Sequence, residues 1–491
     1  MSAEFKLGAA SLAAGAELVH RGALGEEGLL RGVFTDTRAP ARGGLFVALR
    51  GERYDGSAFA AEAVRAGAAA VLVPRAAVDK ARADLANTGA AVLAAQDTGR
   101  ALMNLARAWR GQMKGLRCVC ITGSTGKTST KELVAAVLAE SGPTLKTEGN
   151  LNNEIGVPLT VLQLTREHRF AAIECGMNHL GETARLASVA DPEVGLVTNV
   201  GPVHLEGCGT IDGVAQAKGE LFHSLRADGI VVANADDARV LAQARLSQRT
   251  LISFGQRPAA RGEPPGRHVQ LVSAHHGGAG LLIVLHFGGQ DHPLELQLLG
   301  VHNGDNAAAA AAAGLALGQG ADAIVRGLTR ARTTGRRMRP VALEGGALLI
   351  DDCYNANPSS TKAALLTLAQ LMPSRGNSQD GRACAVLGDM LELGPTELEL
   401  HREVGRFAAG TTLSLLICFG ARARKIGEGA VEAGFDRTRV RYTEDPAEAV
   451  RMVGERPLAA GDTILVKGSR GMKMERISDA LAGSAPQEGA H

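Results

Sequence analysis

The sequence predicts an α/β fold in three domains: a small N-terminal α/β domain, a central domain with a mostly parallel sheet, and a C-terminal doubly wound, Rossmann-like domain. Three observations carry that prediction. The chain has 491 residues, and at roughly 100–200 residues per domain that length asks for about three units. Apolar runs of strand length end again and again at polar residues and lead into helical periodicity, the pattern of parallel strands covered by helices. Hydrophobic residues make up 45% of the chain and charged residues 21%, a balance that sustains packed cores and argues against global disorder. Aromatics are only 3%, so those cores must be filled by Ala, Val and Leu.

The first domain is read over residues 1–108. Gly43–Leu49 (GGLFVAL) is a strand after a turn, and Phe59–Pro74 reads as a helix, a break at Gly67 and a strand. A helix ending near Trp109 leads into GQMKG, a linker. The central domain is read over 109–330. LRCVCITG is a buried strand running into a glycine loop, with Cys118 and Cys120 facing one way, and STKELVAAVLAE has helical periodicity. FAAIECG, VGLVTNVG and IVVANADD repeat the strand-to-polar-end pattern, Leu271–Leu299 suggests a small antiparallel patch, and NAAAAAAAGLAL is a tightly packed helix. The third domain is read over 331–491, where ALLIDD, CAVLGD, LLICFG and TILVKGS are four strand-to-loop units. Ser374–Arg382 reads as a surface loop and the last ten residues as a frayed end.

Charge and cysteine content exclude several classes. Lys plus Arg number 53 and Asp plus Glu 51, so the formal charge is +2 and no basic surplus points to nucleic acid or an anionic membrane. The start lacks a basic segment followed by an apolar run, and the alanine run Ala307–Ala313 is too short to span a bilayer. Seven cysteines without a CxxC pair form neither a disulfide framework nor a zinc site. A reduced, cytoplasmic protein is expected.

The strongest local signal is ITGSTGKTSTKE, Ile121–Glu132, which follows a strand and opens a helix. Gly123 and Gly126 permit a tight turn, and backbone N–H groups from Ser124 through Thr125 to Thr128 can meet a phosphate. Lys127 would reach the terminal phosphates and the Thr128 hydroxyl would bind Mg²⁺. Glu174 ends the strand FAAIE, which suits a metal site, a water-positioning role or a solvated strand end. His204, in NVGPVHLEG, is an ordinary loop histidine or a metal ligand; imidazole is unusual for magnesium, which leaves Mn²⁺ as a possible substitute. Lys218 reads from pattern as a surface lysine. Asn303 and Asn306 either cap the alanine helix or meet a base edge. Asp352, Asn355 and Asn357 offer polar groups at a strand end, with Tyr354 able to stack on a base or ribose. Lys467, in VKGSRGMKME, could hold a carboxylate or a phosphate.

Together these segments resemble the Mur ligase family, the ATP-dependent amide ligases of peptidoglycan precursor assembly. The resemblance rests on DTR with GGLFVAL, GSTGKTSTKE, NLNNEIGVP, ECGMNHLGE, NVGPVHLE, AKGE, HNGDN, GRRMRP, DDCYNANPSS, LGDMLELG, HREVG and VKGSRGMKME. It implies that Lys127 holds the transferring phosphate and that Thr128, Glu174 and His204 serve two magnesium ions. It implies that Lys218 is carbamylated and supports metal as an anion. Asn306 would lie on the adenine side, Arg336 would bridge to the phosphates from the third domain, and Asp352 and Tyr354 would contact the nucleotide. Asn152 and Asn153 would approach the muramoyl substrate, and Asp36, Thr37 and Arg38 the UDP end. Thr37 and Ser57 depart from the residues common in relatives.

Within the family, NNEIGVP, GMNHLGE and DDCYNANP imply joining of D-alanyl-D-alanine to UDP-N-acetylmuramoyl-tripeptide through an acyl phosphate. The first domain would hold the muramoyl substrate, the second ATP, and the third would close on ATP and bind the dipeptide. A monomer is expected. Alternatives are another muramoyl-peptide or folate-type amide ligase, a P-loop phosphotransferase, and a noncatalytic nucleotide-dependent scaffold.

Overall fold

The computed structural model describes residues 3–51, 54–259, 264, 266–277, 280–332, 335–372 and 381–483, with the backbone of 373–374. Apart from their edges, the loop expected over Ser374–Arg382 and the expected frayed end lie outside the described residues.

The first unit carries a five-stranded sheet in the order Glu17–His20, Ala91–Ala95, Ala70–Pro74, Leu45–Val47, Val33–Phe34. All neighbours are parallel except the first pair. The expected helix is Ala60–Arg65, and Gly67, at φ 110°, turns the chain into the next strand. Helix Thr98–Arg110 starts where the Asp97 carboxylate accepts a hydrogen bond from the Arg100 N–H. It ties the first unit to the second. Trp109 Nε1 donates to the Leu164 carbonyl (3.0 Å) and Arg110 Nε to the Ala190 carbonyl (2.8 Å). Its Leu102, Leu105 and Trp109 share an apolar cluster with Cys118, Cys120 and Leu186 across that junction.

The central sheet has nine strands in the order Gln290–Leu296, Leu281–Phe287, His268–His276, Thr250–Gly255, Ile230–Asn234, Val194–Val197, Arg117–Thr122, Phe170–Glu174, Thr144–Lys146. Every pairing from Thr144–Lys146 as far as His268–His276 is parallel. The last two pairings are antiparallel, so the antiparallel region expected over Leu271–Leu299 is an extension of this sheet rather than a separate patch. The physical reason is the apolar alternation: Leu271, Ile283, Leu285, Leu294 and Leu296 continue the sheet's buried face into the cluster that holds the alanine helix. That helix, His302–Ala316, has Ala307–Ala313 fully buried. Buried on all sides, the Ala307–Ala313 stretch is apolar all round, and its small side chains let helix Lys127–Ala139 lie against it.

The C-terminal sheet has six strands in the order Arg339–Ala342, Leu348–Asp352, Thr463–Lys467, Ala383–Gly388, Leu415–Phe419, Val440–Thr443, all parallel except the first. The four expected strands form its centre. The two additional strands are short edges, RPVA and VRYT, whose charged or proline residues suit an edge and mask the strand pattern in sequence. Among the described residues, no helix is long and apolar enough to cross a membrane.

The carboxyl ends of the two large sheets open on one cavity. Glu174, Thr198, Asn234 and Phe254 line it from the central sheet, and Asp352 and Lys467 from the C-terminal sheet. Ligand sites in open α/β sheets lie at this end of the strands.

Candidate active site

The cavity has a volume of about 690 Å³, enough for a nucleotide together with a reacting group. Its floor is the glycine loop between strand Arg117–Thr122 and helix Lys127–Ala139. Two glycines are obligatory there. A Cβ on Gly123 (φ 151°) would stand 1.9 Å from Thr198 Oγ1, and one on Gly126 (φ 81°) 2.5 Å from Asn306 Oδ1. The Ser124 N–H donates to the Asn199 carbonyl (3.0 Å) and the Thr125 N–H to Asn199 Oδ1 (2.9 Å). Asn199 thus fixes the loop, and the N–H groups from Gly126 into the first helical turn are left for an anion. The Lys127 ammonium folds back onto the Gly123 carbonyl at 2.7 Å. Burial pulls its pKa down, the Glu174 charge opposes that, and Arg337 adds to it.

Glu174 is the centre of the polar floor. It is 2% exposed, yet its side-chain partners among the described residues are neutral. Thr128 Oγ1 donates to Glu174 Oε2 (2.8 Å) and Asn152 Nδ2 to Oε1 (2.8 Å). This set of hard oxygens fits magnesium, which needs only one or two carboxylates beside phosphate and water. Asn153 lines the cavity but uses its Oδ1 to cap helix Gly156–Val161, accepting from the Ile155 and Gly156 N–H groups. His204 lines the cavity from a left-handed backbone position (φ 55°). Burial, then the charges of Lys218 and Lys127, lower its pKa to about 4, leaving a neutral imidazole able to offer a lone pair.

Lys218 is no surface lysine. It sits on helix Ile211–His223, 1% exposed, with the Met177 sulfur, 3.7 Å from its ammonium, as its only hydrogen-bond partner among the described residues. Burial first, then repulsion from Lys127, push its pKa well below the lysine range. It stands behind the cavity wall rather than on it.

Asn303 and Asn306 lie in the first turns of the alanine helix, both buried and both lining the cavity. Asn303 Nδ2 donates to the Leu299 carbonyl (2.7 Å), Asn306 Nδ2 to Asn303 Oδ1 (2.8 Å), and Thr130 Oγ1 to Asn306 Oδ1 (3.2 Å). The pair therefore ties the alanine helix to the phosphate-loop helix.

The C-terminal wall departs from expectation at Arg336. Its guanidinium pairs with Asp351 (2.9 Å) and Asp479 (2.8 Å) and does not line the cavity. The neighbouring Arg337 does, with its guanidinium carbon 3.8 Å from the centre of the Tyr354 ring. Asp352 accepts from Lys467 (2.6 Å) and from the Met338 N–H (3.1 Å), so Lys467 enters the lining with its charge already neutralised. It also donates to the Asn355 carbonyl (2.9 Å). Asn355 Oδ1 accepts from the Ala356 N–H, and Asn357 Oδ1 accepts from the Ser360 N–H at the start of helix Pro358–Ser374. Asn357 is thus a helix cap as well as a lining residue.

Asp36, Thr37 and Arg38 lie outside this cavity. Asp36 and Arg38 form an exposed pair at 2.7 Å, and Thr37 Oγ1 donates to Glu62. Sequence reasoning missed Asn199, Arg337, Glu392 and Arg470 as lining residues. Asn199 and Arg470 lay inside quoted motifs, NVGPVHLE and VKGSRGMKME, in which only a neighbour was singled out.

Family models match along most of the chain: the Mur ligase family catalytic domain over residues 30–110, the Mur ligase middle domain over 121–314, and the Mur ligase glutamate ligase domain over 336–470. The chain belongs to the Mur ligase family. It is 39% identical over 455 residues to the UDP-N-acetylmuramoyl-tripeptide–D-alanyl-D-alanine ligase of Escherichia coli (strain K12), covering 92% of this chain and 94% of that one. With the ligase of the same name from Bacillus subtilis (strain 168) it shares 36% identity over 452 residues, 92% of this chain and 93% of the relative. Its three-domain fold is that of solved Mur ligases. MurF from Acinetobacter baumannii superposes with a TM-score of 0.84 at 29% identity, covering 98% of this chain and all of that one. MurF from Thermotoga maritima, solved in complex with ADP, gives a TM-score of 0.79 at 25% identity over 92% of this chain and 97% of the other. The fold is therefore shared with chains that differ from this one at most positions.

Proposed function

We propose that this Mur ligase joins D-alanyl-D-alanine to the terminal carboxylate of UDP-N-acetylmuramoyl-tripeptide, converting ATP to ADP and phosphate. The chain is an ATP-dependent amide-bond-forming ligase. The observation that carries the reading is a single cavity that sets a phosphate loop and the Thr128–Glu174 pair opposite the Arg337–Tyr354 wall of another domain.

Activation is required because a carboxylate is a poor acyl donor. In the reaction proposed, a carboxylate oxygen of the tripeptide attacks the γ-phosphorus, the bond to ADP breaks, and an acyl phosphate forms. The dipeptide amine, having lost a proton, then attacks the acyl carbon, and phosphate leaves. Lys127 and the first-turn N–H groups hold the phosphates, and Arg337 supports charge from the opposite wall. Thr128, Glu174 and His204 are the residues that would hold magnesium, which when bound supplies Lewis-acid stabilisation of phosphate charge. Enclosure between two domains shelters the acyl phosphate from water.

The remaining assignments belong to the same proposal. The first domain, with Asp36–Arg38 on a unit outside the cavity, takes the UDP end. The third closes on ATP and receives the dipeptide. A monomer is sufficient, since one chain supplies all the walls of the cavity. A cytoplasmic setting agrees with the ATP requirement and with seven buried free cysteines. Lys218 is proposed to be carbamylated: burial and the nearby Lys127 charge disfavour its ammonium, the free amine is the form that adds to carbon dioxide, and the resulting anion would offset Lys127.

Phosphate release against a matrix of nucleotide-sugar peptides and amine substrates, with mass spectrometry of the product, tests the function. The expected product is the UDP-N-acetylmuramoyl-pentapeptide. ATP turnover without a new amide bond would instead favour a phosphotransferase. For Lys218→Ala, activity should be lost and partly restored by added short carboxylates. Full activity without them would reject the carbamate.

A further inference from the structure

We propose that Arg470 anchors the C-terminal carboxylate of the incoming dipeptide. The proposal rests on the ligase reading above and adds the residue that recognises the acceptor's distal end.

A dipeptide amine substrate carries a carboxylate about two residues' length, roughly 7 Å, from its attacking nitrogen. A site for it therefore needs a cation set back from the phosphate-transfer centre. The cavity is lined by Lys127, Arg332, Arg337, Lys467 and Arg470. Lys127 sits in the phosphate loop itself. Arg332 donates to the carbonyls of Arg330 and Ala331, its own neighbours in the chain. Arg337 lies over Tyr354, and Lys467 is neutralised by Asp352. Arg470 differs from all four. Its side chain is 54% exposed on the cavity lining, and its ion-pair contact among the described residues is Glu475 at 3.4 Å, long enough to leave donors of the fork for a ligand. A guanidinium fork matches a carboxylate in shape as well as charge.

The backbone holding Arg470 is well fixed. Ser469, 3% exposed, precedes it and joins three strand-end loops. Its N–H donates to the Asp389 carbonyl (3.0 Å), its hydroxyl accepts from the Leu391 N–H (2.9 Å) and donates to the Ala356 carbonyl (3.3 Å). Tyr354, Glu174 and Arg470 line the same cavity, Tyr354 and Arg470 from the C-terminal domain and Glu174 from the central one. An amine that reaches the acyl carbon near Glu174 from the C-terminal wall would leave its carboxylate on that wall, which carries Arg470.

The test compares D-alanyl-D-alanine with D-alanyl-D-alaninamide, which lacks the negative charge, on the full-length enzyme with ATP and the nucleotide-sugar tripeptide. The unaltered enzyme should prefer the acid by about 10–100-fold in kcat/KM, the range of a charge-assisted hydrogen bond. Arg470→Ala should lose that preference: acid turnover falls through KM, amide turnover stays, and the KM for ATP is unchanged. Arg470→Lys should recover part of it. A merely structural role would lower both substrates together and leave the preference intact, which would overturn the proposal. Equal use of acid and amide by the unaltered enzyme would also overturn it, with no variant needed. Absence of any ligation by the unaltered enzyme would overturn the ligase reading and this inference with it.

Discussion

The two faces of the cavity handle charge in opposite ways. On the central-domain face, Glu132 pairs with Lys131 and Lys146, but the charged groups around the phosphate loop lack charged partners among the described residues. Lys127 rests on backbone carbonyls, Glu174 on a hydroxyl and an amide, and Lys218 against a thioether. On the C-terminal face, buried charges are matched. Asp352 and Lys467 stand directly opposite one another on adjacent parallel strands and meet at 2.6 Å, and Asp351 is shared by Arg336 and Arg339. An unpaired buried charge is costly, and a protein tolerates it where something else completes the pairing. The central face is thus built to be completed by phosphate and metal. The C-terminal face is a neutralised platform that projects a few cations.

The largest effects should separate the faces cleanly. Lys127→Ala should lower ligation by about 10³-fold or more, because its charge acts on the transferring phosphate. Thermal unfolding should show a folded state at least as stable, since a desolvated cation has been removed. Lys467→Met should do the reverse in kind: it strands the Asp352 carboxylate and should cost about 3–5 kcal/mol of stability. Denaturant titration of both variants checks the contrast. A large stability loss in the first, or none in the second, would erase it.

A finer contrast lies between neighbouring arginines. Arg337→Ala should lower kcat about 100-fold with little change in unfolding temperature, since the side chain faces the cavity over Tyr354. Arg336→Ala should retain turnover but lose about 2 kcal/mol, as Asp479 and the fully buried Asp351 lose a partner. Loss of activity from the Arg336 variant at full stability would restore the role that the sequence resemblance implied for it.

That pair also marks where sequence reading runs out. The phosphate loop was legible because glycines, lysine and threonine must occur in tight local order between a strand and a helix. Glu174 and Asp352 were legible because they end apolar strands. Which of two adjacent arginines faces inward depends on the local turn, where Met338 takes φ 50°, and spacing does not encode that. The Asp352–Lys467 pair joins residues 115 apart in sequence, and it exists only because strand Thr463–Lys467 inserts beside Leu348–Asp352. Lys467 therefore looked like a ligand-binding cation from sequence while its partner was out of view. Lys218 looked exposed by pattern because Met177, which covers it, comes from another segment.

The smallest expected effect concerns the seam between the faces. His302 opens the alanine helix, its Nδ1 is buried without a hydrogen-bond partner among the described residues, and burial lowers its pKa to about 4 despite the opposing charge of Asp352. His204 is held at about 4 as well. Both imidazoles stay neutral in the folded chain while an unfolded histidine takes a proton near pH 6.5. Between pH 6.5 and 4 the unfolded state therefore binds more protons, so stability is full above 6.5 and declines as the pH falls through that window. Replacing His302 by Gln should flatten this decline, by roughly 1–2 kcal/mol at pH 5 relative to pH 7. Urea unfolding at the two pH values, for both chains, measures the difference. An unchanged slope would mean that His302 accepts its proton in the folded state, and that the seam beside the neutralised platform is wetter than its burial indicates.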